Sequence, residues 1–498
     1  MLTYQDFLEV GDNPEAIADF ISDVIADHEA SEKFKIGQIA GEFYRGEDRY
    51  IAELKKMIYD IDGNAKEDTY TPDRKCTANW YFYFTVQLVS HLLGNGISFS
   101  NEEVKEKLGG NKFDSVLQKC LTWASNDGES YGLVAENGVK PLCYGSDVTE
   151  PRCAVLLDVY TSDIGAGVEY WQLDPDSPRI AVLYTQKGKM TFREFDDKDS
   201  ESGRSFQLVK DLEPYSNGIT VSNKMQGEYF SGVAEYPRVP IVRLNFINKQ
   251  SNIKNRVETL FNYDLTLSNL INTVNNNVVY WVISNASAMD DDDDMRFIAS
   301  IIRKKMVHVE DGQSAEPHQI NIQYQAHESA LMQLEQRLIT DFMAIDTKSL
   351  RSGAITTVEI NQAYDAIEKK CDLVENLVGD FVRDILSFYG LENEEFHFTR
   401  SKSINITEMV GNYAATVPLT GEEYATKKVL ETYGDIDEFA TVQEQKASDE
   451  SAIFSEDKQE STIARIAELI FQKLKQLFTG KKAEEPEKQR LNGDDENV

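Results

Sequence analysis

A chain of 498 residues exceeds what one hydrophobic core usually supports, so about two to four structural units are expected. Its composition, 41% hydrophobic and 27% charged, is that of a folded protein and excludes a disordered or fibrous one. The net charge of −34, from 85 acidic against 51 basic residues, excludes a conventional sequence-specific DNA binder, which needs a basic footprint to displace counterions from phosphates.

No run of about 18 apolar residues occurs, so no membrane span is expected. The opening stretch MLTYQDFLEVGDNPEA is acidic early and lacks a basic-then-apolar pattern, which predicts a protein that stays in the cytoplasm where it is made. Cys76, Cys120, Cys143, Cys153 and Cys371 are scattered and form no C-x-x-C pair. They are read as buried or half-buried free thiols, not as a disulfide framework or zinc site.

In chain order, residues 1 to about 60 read as helical. Asn13-Pro14-Glu15 is a helix start with Pro at the first turn, and Ile17, Phe20, Ile21, Val24 and Ile25 follow at helical spacing. A second amphipathic segment runs from Glu32 to Tyr44, with a turn at Arg45-Gly46-Glu47. Residues 79–93 are aromatic and aliphatic but too short for a bilayer, and predict a core helix ending at Gly94. Residues 112–127 repeat the helical pattern. From about 130 to 245, short β-rich runs (154–160, 179–185, 189–195, 239–247) broken by Gly, Pro, Asn and Asp predict an antiparallel sheet.

Residues 264–284 read as one helix, with Leu267, Leu270, Ile271, Val274, Val278 and Trp281 in a stripe and Asn269, Asn272, Asn275, Asn276 and Asn277 mostly off it. After an insert of about 30 residues, a further helix carries Leu331, Leu334, Leu338, Phe342 and Ile345. A long helix runs from about 357 to 389. Beyond 400 come a strand or linker, a helical segment with Thr420 as its cap, a last amphipathic helix over 462–478, and a charged tail expected to be disordered.

No catalytic signature is present: there is no H-E-x-x-H, G-x-S-x-G, phosphate loop or dinucleotide fingerprint. His91, on an apolar helix, is read as a satisfied core residue. The run Asp290–Asp294 lacks the alternation and central Gly of a calcium loop, so it is read as a solvated tip. Arg303, Lys304 and Lys305 form a basic cluster that is either a docking edge or a solvated face. Lys348 and Arg351 bracket a Ser/Gly connection between two helices.

The order of these pieces resembles the portal proteins of tailed phages, in the family typical of siphophages of Gram-positive hosts. Phe43, Tyr44 and Gly46 match that family's aromatic-x-Gly turn. Asn79 with Gly94, Gly96, Ile97 and Phe99 matches its Asn…Gly-x-Pro-Ile-x-Phe segment, although the Pro is missing. Val239, Pro240, Ile241, Asn245, Leu260, Tyr263, Asp264 and Ser268 follow its strand, Asn-rich turn and helix. Ser352-Gly353-Ala354 stands where its Ser-Gly-x-Ala signature opens a long helix. The resemblance covers roughly residues 10 to 440.

It implies an α+β portal fold assembled as a ring of about twelve copies. A β-rich wing would take 1–253, stem helix 1 254–285, a small α/β clip 286–324 and stem helix 2 325–346. A tunnel loop would take 347–356, a wing spine helix 357–400, a helical crown 401–480, and the tail 481–498. The resemblance implies a non-enzymatic channel at the capsid vertex for DNA packaging and ejection. Lys348, Ser349, Arg351 and Ser352 would face DNA, Arg303, Lys304 and Lys305 would form the clip docking surface, and Asn269, Asn272 and Asn276 would line the channel or contact a neighbouring subunit. Implied partners are double-stranded DNA in non-specific passage, the terminase large subunit, the major capsid protein, a scaffolding protein and a head–tail adaptor. No cofactor, metal or membrane is implied, and the protein would be assembled in the host cytoplasm and reside in the virion. An acidic, Asn-rich wall suits such a channel, because one that gripped every phosphate would stall the DNA. The alternatives are another non-enzymatic phage head-assembly protein, which would not need two stem helices around an insert, and an enzyme with an unrecognised site.

Overall fold

A computed structural model of the chain describes residues 2–59, 64–68, 73–135, 138–145, 152–160, 163–174, 176–196, 204–215, 222–224, 235–237, 239–275, 279–284, 314–319, 324–347, 357–401, 413, 415, 417–418 and 421–433. It divides into two compact units, Met1–Ser403 and Ile404–Val498. Helix and sheet are mixed, as an α+β chain requires.

Four helices open the first unit: α1 (Tyr4–Val10), α2 (Pro14–Ala30), α3 (Glu32–Arg45) and α4 (Arg49–Glu53). Their ends follow from local chemistry. Asn13 Oδ1 accepts the Glu15 N–H beside Pro14, as expected from the sequence, and Ser31 Oγ accepts from Phe34. Gly46 stops α3 with φ 78°, a left-handed cap that any side chain would strain. The strands β1 (Met57–Tyr59) and β2 (Ala65–Glu67) pair antiparallel.

The aromatic helix α5 (Trp80–Leu93) ends before Gly94, as its pattern predicts. Then come β3 (Ile97–Phe99), α6 (Glu102–Lys107) and α7 (Asn111–Asp127). Gly128 caps α7 at φ 87°, and a Cβ there would lie 2.8 Å from the backbone of residues 249 and 250, so only glycine lets the two segments close.

The β-rich region forms two larger sheets and a two-stranded pair. The strands β4 (Glu129–Ala135) and β5 (Gly138–Leu142) begin the first. A meander follows of β6 (Arg152–Tyr160), β7 (Asp163–Trp171), β8 (Ile180–Tyr184), β9 (Lys189–Asp196) and β10 (Arg204–Glu213), antiparallel throughout. The short strands β11 (Ser222–Lys224) and β12 (Glu235–Pro237) pair with each other. The last strand, β13 (Ile241–Asn245), joins β4 to complete a three-stranded sheet in the order β13-β4-β5. One face of the meander buries α2 through Ile17, Phe20, Ile21, Val24 and Ile25, the stripe read from the sequence. His28 at the end of that stripe is buried and shares a hydrogen bond with the Tyr170 hydroxyl at 2.8 Å; burial pushes its imidazole down to about 3, so it is neutral.

The helix α8 (Val257–Asn275) is shorter than its periodicity suggests. Residues 276–278 lie outside the described residues, and Val279–Ser284 is a strand, β14, paired antiparallel with β15 (Ser314–Gln319). The expected helix over 264–284 is corrected accordingly. Val279, Tyr280, Trp281, Val282 and Ile283 are β-branched or aromatic residues that suit a pleated pair better than a helix. Two 19-residue helices thus flank a hairpin: α8, and α9 (Tyr324–Phe342), which ends at Met343 with φ 51°, short of the expected 346.

The 32-residue α10 (Thr357–Phe388) follows the expected 357–389 closely. It buries Ile360, Tyr364, Ile367, Cys371, Val374, Val378, Phe381 and Ile385 against α5, α7 and the three-stranded sheet. The strand β16 (Phe396–Phe398) then pairs with β3. Just beyond it, Arg400 meets Glu368, Asp372 and Glu375 of α10 at 2.5–2.7 Å, tying the end of the first unit to that helix. His91 is a buried core residue, as expected, but only half satisfied: Nδ1 meets the Ser401 carbonyl, while Nε2, 3.5 Å from Glu368, makes no hydrogen bond among the described residues. In the second unit the helix α11 (Glu422–Tyr433) is described; Thr420 and the 462–478 segment lie outside the described residues.

Candidate functional site at the root of a helix pair

The helices α8 and α9 pack side by side and run antiparallel, since Arg256, just before α8, donates to the Asp341 carbonyl at the end of α9 at 2.8 Å. Each spans about 28 Å at 1.5 Å per residue. Burial is concentrated at the root: on α9 the buried residues are Leu338, Ile339 and Phe342. Farther out, Tyr324 and Met332 on α9 and Val274 on α8 are exposed.

Aromatic packing builds the root. Phe342 stacks on Phe84 at 4.9 Å and meets Tyr81 edge-on, while the Arg256 guanidinium lies 5.1 Å from its ring. Trp80 stacks on Phe84 and meets Tyr263 at 5.7 Å. Phe43, Leu260 and Ile253 complete the buried cluster, with Tyr44 and Tyr263 packed against it. Phe43 and Tyr44, from the family's aromatic-x-Gly turn, and Leu260 and Tyr263, from its helix, distant in sequence, are therefore neighbours here.

A polar ladder runs up one face of α8. Asp264, Ser268 and Asn272 stand four residues apart and hold a strap formed by residues 73–78. Ala78 donates its N–H to Asp264 Oδ1 at 2.8 Å, Cys76 to Ser268 Oγ at 3.0 Å, and Arg74 to Asn272 Oδ1 at 2.8 Å. Asn272 Nδ2 returns a bond to the Arg74 carbonyl at 3.0 Å. The match is metric: four helical residues rise about 6 Å, close to the advance of two residues of extended chain, about 6.6 Å. Thr77 Oγ1 then donates to the Gly46 carbonyl, fastening the strap to the end of α3. An Asn272→Ala chain is expected to lose about 1–2 kcal/mol from its two bonds, and hydrogen exchange of a 73–78 peptide measures that loosening.

Two of the buried titratable groups at this root have their charge state moved towards neutrality. Lys370, 4% exposed on α10, donates to the Phe342 carbonyl at 2.8 Å and to Asn252 Oδ1 at 3.3 Å; burial, reinforced by the Arg256 charge, pushes its ammonium down to about 7. It thus caps the C-terminus of α9, where the orphan carbonyls favour a donor. Asp264 is the second: burial and the neighbouring Asp48 push its carboxyl up to about 7.

Of the residues singled out from the sequence, Asn269 is exposed and Asn272 is buried at 9% with both polar side-chain atoms bonded inside its own chain. Asn276, Arg303, Lys304, Lys305, Lys348, Ser349, Arg351 and Ser352 lie outside the described residues. The chain leading to residue 348 is anchored on α5: Ile345 N donates to Gln87 Oε1 and the Tyr83 hydroxyl to Thr347 Oγ1. Sequence reasoning missed Asp48, Arg256 and Lys370. Among the described residues no group of His, Cys, Asp and Glu has the makings of a metal site, and no helix is long and apolar enough to cross a membrane.

The family described as "Phage portal protein, SPP1 Gp6-like" matches residues 32–450. The chain belongs to that portal family. A portal protein is a structural component of the phage head, and the root of the helix pair is the part of this one where the matched motifs converge. No curated protein sequence matches the chain at a significant level. Among solved structures, one titled "Neck of empty GTA particle computed with C6 symmetry" aligns at 9% identity over 69% of this portal chain and 86% of that chain, with a TM-score of 0.37. At that score the likeness does not bear on the assignment.

Proposed function

We propose that this portal protein assembles as a ring of about twelve copies at the capsid vertex, through which the genome is packaged and ejected. The α8–α9 pair forms the stem of each subunit, and the carrying observation is its one-ended burial. Leu338, Ile339 and Phe342 fix the root, whereas Tyr324, Met332 and Val274 are left exposed farther along. A bare helix pair with apolar residues exposed is stabilised by packing against the same pair of a neighbouring copy.

The β14–β15 hairpin carries the clip, residues 286–324, and Arg303, Lys304 and Lys305 there form the docking surface for the terminase large subunit and the head–tail adaptor. The loop over 347–356 presents Lys348, Ser349, Arg351 and Ser352 to passing DNA, and Asn269 and Asn276 are the remaining candidates for the channel wall or subunit contact. Residues 401–480 form the crown facing the capsid interior, near scaffolding and major capsid proteins. The net charge of −34 supports passage in preference to capture, since an acidic wall repels phosphate and leaves contacts brief.

Negative-stain electron microscopy with mass photometry of the purified chain tests this reading. Closed rings with a central hole are the expected result. A monomer that persists across salt and protein concentration would count against self-assembly as the chain's own property.

A further inference from the structure

We propose that Cys143 and Cys153 form a reversible disulfide, which staples the three-stranded sheet to the meander when the chain meets an oxidising small-molecule disulfide. The inference stands on the seam between the two sheets and does not depend on the ring reading.

Both residues are thiols in the structure. Cys143 directly follows β5, and Cys153 lies at the start of β6, the edge strand of the meander. They face each other as partners in a parallel bridge between the two sheets. The Ala154 N–H donates to the Cys143 carbonyl at 3.0 Å and fixes that register. Partners across a ladder share a face, so the two thiols are turned to the same side. That side is the buried one: Cys143 is 0% and Cys153 6% exposed, and both belong to the cluster that packs α2 on the meander. Tyr170 extends the row, since it pairs with Cys153 across β6 and β7 and its hydroxyl bonds His28. Burial pushes that hydroxyl up, and Cys153 and Cys143 both add to the effect, as neighbours on its side do.

The spacing suits a bond that forms and breaks. Adjacent strands stand about 4.7–4.9 Å apart, inside the Cα separation of about 4.4–6.8 Å that a disulfide spans. The Cβ atoms, however, must close to about 3.8 Å, nearer than the strands themselves stand. The bond therefore draws the seam tighter and is held under some tension, which makes it the more easily reduced kind.

The exchange balances with one small disulfide. Cys153, the less deeply buried thiol, attacks one sulfur as its thiolate, forms a mixed disulfide and releases the first small thiol. Cys143 then attacks the Cys153 sulfur, closes the Cys143–Cys153 bond and expels the second. The two protein thiols are oxidised by two electrons, and the small disulfide is reduced to two thiols that carry away both protons. In the reducing medium where a chain is made the seam stays unbonded, and in an oxidising one it is stapled.

The probe is oxidised glutathione added to the full native chain, with the remaining thiols alkylated afterwards. Trypsin cleaves after Arg152 and separates the two cysteines, while fragment ions tell Cys143 from Cys120 on the same peptide. The expected result is a Cys143–Cys153 linked pair of peptides, and an intact chain lighter by about 2 Da. Excess reduced glutathione is expected to part the peptides again. Hydrogen exchange at the start of β6 is expected to slow several-fold on oxidation in the native chain and to stay unchanged in Cys143→Ala and Cys153→Ala. Alkylation of both thiols after oxidation, a glutathione adduct on Cys153 with no link, or a link to another cysteine overturns the proposal. So does a bond that only a strong dithiol reverses. If the alanine variants fail to fold, peptide mapping of the native chain alone decides.

Discussion

Truncating Phe342 to alanine is expected to lower the stability of the first unit by about 3–5 kcal/mol, the range for removing a buried aromatic side chain from a close-packed core. Phe342 is 1% exposed and is shared by every element of the root: it stacks on Phe84, meets Tyr81, and lies under Arg256. Its loss leaves a cavity bounded by α5 and by Arg256, both anchored elsewhere, so collapse is limited. The carbonyl of the same residue receives Lys370, so the end of α9 loosens along with the ring. Phe342→Leu keeps much of the volume and is expected to cost less, about 1–2 kcal/mol. Denaturant midpoints of the two variants separate the cavity effect from simple loss of aromaticity. Equal destabilisation by both would show that the stacking, not the volume, matters at this position.

Replacing Arg243 with alanine is expected to cost about 2–3 kcal/mol, because it strips the partly exposed Asp158 of its two bonds and leaves the buried Glu129 with Lys33 as its remaining cation. Arg243 on β13 grips Asp158 on β6 through both Nη atoms, at 3.0 and 2.6 Å, and its Nε lies 3.8 Å from Glu129 on β4. Lys33 on α3 meets Glu129 from the other side at 2.5 Å, and the Tyr131 hydroxyl donates to it at 2.8 Å. This network pins the three-stranded sheet to the meander. Burial alone would raise the Glu129 carboxyl, but Lys33 and Arg243 together hold it below the ordinary range. A depressed carboxyl contributes stability above its unfolded value and loses it as pH falls through the folded one, so the native chain is expected to weaken towards acid. In Arg243→Ala that acid-side slope is expected to flatten, and melting curves across pH measure it. Arg243→Lys restores charge but not the two-pronged grip, and is expected to recover only part of the loss.

Elements whose order comes from local chemistry were legible in the sequence. The Asn13-Pro14 start, the Gly46 and Gly94 stops, and the apolar stripes of α2 and α10 stand where the residues indicate. The helix boundary after Asn275 was not legible, because Val278 and Trp281 continue a helical period by chance while their side-chain types favour a strand. The ladder was half visible. Asp264, Ser268 and Asn272 share a face in any helix, but their partners lie 186 to 198 residues away in an irregular strap that has no pattern of its own. For that reason Asn272 read as one more polar residue facing outward. Lys370 was hidden for a similar cause: beside Cys371 on a charged helix it looks solvated, and only the arrival of the α9 terminus encloses it.

The strap imposes a reading frame on α8. Its rungs are side chains on a helix, so one residue inserted or deleted between Asp264 and Asn272 turns every later rung by about 100° and strips the strap of Asn272 at a stroke. Four residues added there would restore the face but overshoot the strap by about 6 Å. Among the described residues no rung follows Asn272 on α8. The helix is therefore freer to change length at its hairpin end, while the stretch from Val257 to Asn272, a little over four turns, is held to its count.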